Sequence, residues 1–356
     1  MLYVSSNGAG MGHLTRLMAM ARRADGVRPL FLSMSQAVPV VGDLGFSYEY
    51  VPSRDDLGVG PRRWNRLLSR RYLEVLERER PAAVVFDGTF PYEPLVQARR
   101  SHPGTALVWS RRAMWRPGQG SRQLASADAF DLVLEPGELA AERDRGLTAK
   151  RHDAHRVDPV TLLDPDELVS RAEAAAELGT DPDRPTVLVS LGAGNINDLD
   201  SDSGRLVAAL AAAPGLQVVV TTPAIANRAP SVPDGVRAVS VYPISRYLRA
   251  FDASVAAAGY NSFHEMAQNL VPTAYVPNAS TAMDDQVGRA QWAQDAGIGL
   301  CVDALDQVGV DRVVAAFADP ARLAAMRARC EQVARPNGAG PAQRLLEQLV
   351  LGRGTS

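Results

Sequence analysis

Cysteine, lysine and unbroken apolar runs are what this sequence has least of. Two cysteines, Cys301 and Cys330, in 356 residues cannot make a disulfide framework, and no CxxC or histidine-rich spacing accompanies them to form a zinc site. Both read as small buried hydrophobes. The formal charge is −2, from 38 basic and 40 acidic residues, which gives no general field for coating nucleic acid. Lys150 is the single lysine, and the arginine-, alanine- and glycine-heavy usage points to a GC-rich bacterial genome. The longest charge-free apolar stretch, Leu206–Thr222, is broken by Pro214 and Gly215, so no membrane span is expected. Met1 to Ser5 runs directly into a glycine-rich loop, leaving no room for a signal peptide, and the expected location is the cytoplasm.

What is there is 46% hydrophobic and 22% charged, enough chain for two domains of about 150 residues each. Short apolar, β-rich runs (Leu2–Ser6, Pro29–Ser33, Ala83–Asp87, Ala106–Ser110, Asp131–Leu134, then Thr186–Leu191, Gln217–Thr222, Val236–Val241, Ala253–Ala257, Thr273–Val276) alternate with stretches of helical length such as His13–Ala24, Arg62–Glu79, Arg205–Ala213 and Gln286–Asp295. Strands alternating with helices imply βαβ units and parallel sheets. The halves begin alike: Leu2 to Gly10 and Leu188 to Gly194 are each a buried-type strand followed by Gly-Ala-Gly. The expected fold class is α/β, two Rossmann-like domains facing each other across a cleft. The proline-broken stretch Asp158 to Pro165 is the expected linker, giving domains over 1–158 and 159–335. A C-terminal helix over 336–356 follows. Charge divides with the halves: residues 1–160 hold 23 basic against 18 acidic residues, and the remainder 15 against 22.

The first glycine-rich loop, Gly8-Ala9-Gly10-Met11-Gly12-His13, follows a strand and precedes a helix, so its backbone N–H groups suit an anion. Dinucleotide binding is disfavoured, because the GxGxxG pattern needs glycine where His13 stands and an acid where the second strand ends in Ser33-Met34-Ser35. The loop instead brings an imidazole to the carboxyl edge of the sheet. Asp87, ending the strand Ala83–Asp87, should reach the same edge, where a carboxylate can fix the imidazole's tautomer. In the second half, a strand ending at Ala257 runs through Gly259-Tyr260-Asn261-Ser262 into a helix, whose dipole and N–H groups can hold a pyrophosphate without metal. Glu265, one turn on, could reach a ribose diol or merely complete a Ser262-x-x-Glu265 capping box. Met283-Asp284-Asp285-Gln286 opens another helix, capped by Asp284 or offering its polar groups to sugar hydroxyls. The acidic run Asp198 to Asp202 lacks a calcium loop's glycine and terminal glutamate and reads as a solvated loop.

These features together resemble nucleotide-sugar glycosyltransferases of the GT-B fold, most nearly family 28, the peptidoglycan N-acetylglucosaminyltransferase family. The resemblance implies donor contacts at Gly10 and Gly12, at Gly192, Gly194 and Asn195, at Tyr242 and Ile244 for the base, at Gly259, Tyr260, Asn261 and Ser262 for the diphosphate, at Glu265 for ribose, and at Asp285 and Gln286 for the sugar. Asp158-Pro159-Val160 matches the family's interdomain motif, with Thr161 where arginine is usual. The chemistry implied is inverting transfer of a hexose or N-acetylhexosamine from a UDP-sugar, with His13 as base supported by Asp87, and with no metal or other cofactor. On the acceptor side, Pro94–Ala127 holds six arginines and no acid. Arg111, Arg112 and Trp115 there suit an anionic or lipid-linked acceptor, and peripheral contact with the inner face of the membrane is allowed. The arginines of Arg62–Arg80 read as a solvated helix face. Two other functions fit the same fold: a non-hydrolysing nucleotide-sugar epimerase and a non-catalytic nucleotide-sugar-binding subunit.

Overall fold

The computed structural model describes residues 1–6, 11–191, 202–222 and 232–354. They form two compact units. The first comprises Met1–Ala141, Arg145–Leu162 and the chain from Asn337 onward; the second comprises Glu142–Asp144 and Leu163–Pro336.

The first unit is built on seven strands: β1 (Leu2–Ser5), β2 (Leu30–Ser33), β3 (Ser47–Tyr50), β4 (Ala83–Asp87), β5 (Ala106–Ser110), β6 (Leu132–Glu135) and β7 (His155–Arg156). All pair in parallel, in the order β3-β2-β1-β4-β5-β6-β7. The central strands β4 and β5 are buried along their whole length, as parallel strands covered on both faces must be. Helix Pro61–Glu79 buries Trp64, Leu68, Tyr72, Val75 and Leu76, a stripe at three- and four-residue spacing. Arg62, Arg63 and Arg66 stand on its exposed side, the solvated face that the sequence suggests.

The second unit repeats the plan with β8 (Thr186–Ser190), β9 (Gln217–Thr221), β10 (Val236–Val239), β11 (Ala253–Ala257), β12 (Thr273–Val276) and β13 (Gly299–Cys301). Its order is β10-β9-β8-β11-β12-β13, again all parallel. In each sheet the first strand lies between the second and the fourth, and the order reverses there. Outside the carboxyl ends of the strands at that reversal, loops diverge and leave a crevice for ligands.

Within the first unit, the segment ending at Leu162 pairs with the segment that begins at Asn337. Asn337 accepts from Thr161 N (3.1 Å) and donates back to the Thr161 carbonyl (3.0 Å), and Gly338 N donates to the Pro159 carbonyl at 2.9 Å. The last helix, Ala339–Gly354, then packs on the first helix, Gly12–Ala21. There Tyr3, in the middle of β1, donates its hydroxyl to Gln343 Oε1 at 2.6 Å, with both residues fully buried.

A Cβ on Gly338 would stand 1.9 Å from the Asp158 carbonyl oxygen, a contact only backbone movement can relieve. Gly338→Ala is therefore expected to destabilise the first unit by about 3 kcal/mol or more, read as a lowered midpoint in urea unfolding.

Candidate active site

Strand register assembles a polar cluster in the first unit. Ser5 is level with Ser33 of β2 and Asp87 of β4, and Asp87 is level with Ser110 of β5. Four polar side chains thus end four neighbouring strands in one row at the carboxyl edge. Ser5 and Ser33 satisfy each other at 2.6 Å. Asp87 is buried, and each of its carboxylate oxygens takes two donors: Oδ1 accepts from His13 Nδ1 (2.6 Å) and Arg16 Nη2 (2.6 Å), Oδ2 from Arg16 Nε (3.1 Å) and Ser110 Oγ (2.7 Å). A carboxylate has about four such lone-pair positions, so this one is saturated.

Saturation decides the protonation states. Burial pushes the Asp87 carboxyl upward, but the Arg16 guanidinium and the His13 hydrogen bond outweigh it and hold the pKa down at about 2. It is an ionised holder with no lone pair left to take a substrate proton. Nδ1 of His13, 2.6 Å from an ionised oxygen, must carry its proton toward Asp87, which leaves the lone pair on Nε2. Arg16 Nη2, 3.0 Å from Nδ1, converges on the same oxygen. The His13 pKa lies below its ordinary 6.5: burial is the main cause, Asp87 opposes it, and Arg16 and Arg112 add to it. The ring is therefore neutral at neutral pH and retains 17% exposure. His13 and Gly12 sit in the first turn of helix Gly12–Ala21, with Met11 at its N-cap. Gly10 lies outside the described residues.

Arg16 was not singled out from sequence, although it stands one helical turn after His13 and so on the same face. The acceptor-side expectations need correction. Arg111 has no exposed surface and is taken up by Glu135 (3.2 Å) and Asp153 (3.1 Å), carboxylates 24 and 42 residues further along. Trp115, 1% exposed, packs near Trp109 in the core. Neither side chain is offered to a ligand. Arg112 is half-buried and near enough to His13 to depress its pKa.

In the second unit the helix Tyr260–Gln268 starts one to two residues earlier than the sequence suggests, with Gly259 at the N-cap and no side-chain cap. Asn261 and Ser262 therefore stand inside the first turn, half-buried, and Ser262 is not at the N-cap position that a capping box with Glu265 requires. The Tyr260 side chain is buried against His264, whose Nδ1 donates to the Tyr260 carbonyl at 2.7 Å, so its ring is not exposed. The cap of helix Gln286–Asp295 is Asp285, which accepts from Gly288 N at 2.9 Å; the capping role falls to it and not to Asp284. Gln286 lies beside the Gly259 turn: its Nε2 is 3.9 Å from where a Cβ on Gly259 would stand. Sequence reasoning missed Arg289, fully buried, which donates to the Ala258 carbonyl (2.8 Å) and to Asp284 (3.2 Å). Tyr242 and Ile244 are half-buried beyond the end of β10, Ile244 opening a 3-10 helix. Gly192, Gly194 and Asn195 lie outside the described residues, as does the acidic run from Asp198 apart from Asp202, which opens the helix Asp202–Ala212.

Two parallel-sheet units of this topology make up the GT-B fold, and solved structures with that fold agree. The spinosyn forosaminyltransferase SpnP superposes with a TM-score of 0.66 over 98% of this chain and 99% of its own, at 18% identity. Acinetobacter baumannii MurG does so with a TM-score of 0.62 over 98% and 99%, at 17% identity. No model of a known protein family matches the chain. A Nocardioides sp. (strain ATCC BAA-499 / JS614) protein, UDP-N-acetylglucosamine–N-acetylmuramyl-(pentapeptide) pyrophosphoryl-undecaprenol N-acetylglucosamine transferase, is 30% identical over 264 residues, covering 71% of this chain and 69% of that one. The chain belongs to the family of that transferase, glycosyltransferases that use nucleotide-sugar donors.

Because the folded Asp87 pKa is depressed, its ionised contribution to stability is complete above about 3.8 and fades as pH falls toward 2. Arg16→Met removes the principal partner of a buried carboxylate. It should cost about 3–5 kcal/mol and move the acid-unfolding midpoint, followed by circular dichroism, to higher pH.

Proposed function

We propose that this protein is an inverting, metal-independent transferase that moves a hexose or N-acetylhexosamine from a UDP-sugar to an acceptor hydroxyl, with His13 as general base. The observation that carries the reading is the saturated Asp87 carboxylate, which accepts from His13 Nδ1 and leaves Nε2, among the described residues, as the proton acceptor the cluster does not use, on a ring that burial keeps neutral. An attacking hydroxyl must lose its proton as it adds to the anomeric carbon, and direct displacement by a base-activated nucleophile inverts that carbon. Nε2 accepts the proton, and the Asp87 carboxylate stabilises the resulting imidazolium without itself being protonated.

The leaving nucleoside diphosphate gains charge as the bond breaks. The helix start at Gly259 to Ser262 supplies aligned backbone dipoles for it, a role that asks for no metal. Glu265 suits the ribose hydroxyls and Gln286 the sugar, while Tyr242 and Ile244 suit the base. The family relative's name contains UDP-N-acetylglucosamine and a pyrophosphoryl-lipid acceptor. An anionic acceptor of that kind would find Arg112 beside the base, with attack at the membrane surface. Among the described residues no helix is long and apolar enough to cross a membrane.

Incubation with UDP-sugars and lipid extracts, with products read by mass spectrometry, tests the reading directly. Transfer should persist in EDTA. His13→Ala should lower turnover by ~10²–10⁴ while donor binding is kept. kcat/KM should rise with pH through an apparent pKa below 6.5 and level off above it, because only the neutral ring is a base. No thermal shift with UDP, dTDP or any UDP-sugar would sink the proposal. Conversion of the donor with no acceptor present would make the protein an epimerase, and binding without turnover would make it a sensor.

A further inference from the structure

Arg289 stands on helix Gln286–Asp295 with no exposed surface. A guanidinium this deep needs acceptors in place of the water it has lost, and its Nη1 has them. Two of those acceptors belong to the two halves of the donor region. Arg289 Nη1 donates to the Ala258 carbonyl at 2.8 Å, and that carbonyl belongs to the same peptide unit as the N–H of Gly259, the N-cap of helix Tyr260–Gln268. Nη1 also lies 3.2 Å from Asp284 Oδ1. Asp284, itself buried, accepts from Gln286 Nε2 through Oδ2 at 3.3 Å, and Gln286 Oε1 accepts from Asn278 N at 3.0 Å. The guanidinium rests 5.9 Å from the ring centre of Phe263, which stands on the same helix as the turn.

We propose that Arg289 is the positioning residue of the donor site, resting on the reading of the Gly259 turn and Gln286 as that site. It sets the plane of the Ala258–Gly259 peptide and, through Asp284, the orientation of the Gln286 amide. A nucleoside diphosphate sugar then meets its phosphate-binding helix start and its sugar contact at a separation fixed before it arrives. Without the clamp both would have to be ordered on binding, and a misplacement of about 1 Å near reacting groups can cost roughly a hundredfold in rate. Both bonds leave from Nη1, which is aimed by a rigid plane resting against Phe263; lysine offers charge without that fixed plane.

The test uses Arg289→Lys, together with the pair Arg289→Met and Asp284→Asn, which removes both buried charges and leaves neither unpaired. Donor KM, kcat and the Kd values for UDP and UDP-sugar are measured well below the unfolding midpoint. Both variants should bind UDP-sugar about ten- to a hundredfold more weakly with the acceptor KM unchanged. The cost of Gln286→Ala, large in the unaltered chain, should shrink to less than about twofold in the Arg289→Lys background, because the amide is no longer held in place for the sugar. Lower thermal stability with donor affinity unchanged, or a Gln286→Ala cost that multiplies independently, would overturn the proposal and assign Arg289 to packing. If Glu265→Gln and Gln286→Ala in the unaltered chain leave donor binding intact, the donor reading itself fails and takes the proposal with it. If they weaken binding and the Arg289 variants do not, the proposal alone fails.

Discussion

The polar cluster of the first unit, and the chemistry proposed for it, depend on one buried carboxylate having four donors. Asp87 brings together β4, β5 through Ser110, and two positions of the first helix through His13 and Arg16. An ionised group in that position would be costly if any large share of its lone pairs were unmet. With all of them met, it fixes the helix against the sheet edge and the imidazole's tautomer in one arrangement. Fold stability and the proposed proton chemistry therefore rest on the same atoms. The arginine beside them holds the Asp87 pKa near 2, and it lowers further a His13 pKa that burial already depresses. Arg16 keeps the carboxylate ionised by its charge and disfavours a second positive charge on the neighbouring ring.

Much of this was legible in the residues, and the limits are physical. Ten strand runs and the helices bearing His13 and Gln286 follow from apolar periodicity, because central parallel strands are apolar throughout and their helices amphipathic. Three strands left no such trace. β3, Ser-Tyr-Glu-Tyr, has no buried residue; β7 has two residues and β13 three. All three lie at sheet edges, where one hydrogen-bonding side has no partner strand and burial demands less of the sequence. The Asp87–His13 pair could be anticipated because parallel strands deliver their carboxyl ends to one edge.

The buried arginines could not be anticipated in the same way. Arg16, Arg111 and Arg289 look alike in sequence, each a cation near an expected site. What separates them is which carboxylate or carbonyl folds onto them, from residues 71, 24 and 31 positions away. Arg111 met Glu135 and Asp153 and became structural. Arg16 met the carboxylate that holds the imidazole, and Arg289 met the carbonyl at a helix start. Pairing over such separations is set by strand register and helix packing, which residue spacing does not encode. The helix boundary at Tyr260 was misjudged for a related reason: Asn261 and Ser262 are strong cap formers, yet the strand's exit through Gly259 lets the helix begin before them.

The two units share a strand order but present different groups at the same place in it, and the proposed reaction would use the two differently. Where the fourth strand of the first sheet ends, there is a titratable side chain; where the fourth strand of the second ends, there is Gly259 and bare backbone. A proton must be accepted by a group that changes protonation state near neutral pH, and only side chains do so. A diphosphate needs aligned donors that do not change state, and peptide dipoles at a helix start supply them without a titrating group. The charge census agrees with this division. Residues 163–336, nearly all of the second unit, carry 13 basic against 21 acidic groups, so an anionic donor, if held there as proposed, is not drawn by the unit's overall field. Affinity has to come from local backbone geometry, and a turn whose peptide plane is clamped by a buried guanidinium is a direct way for the fold to provide it.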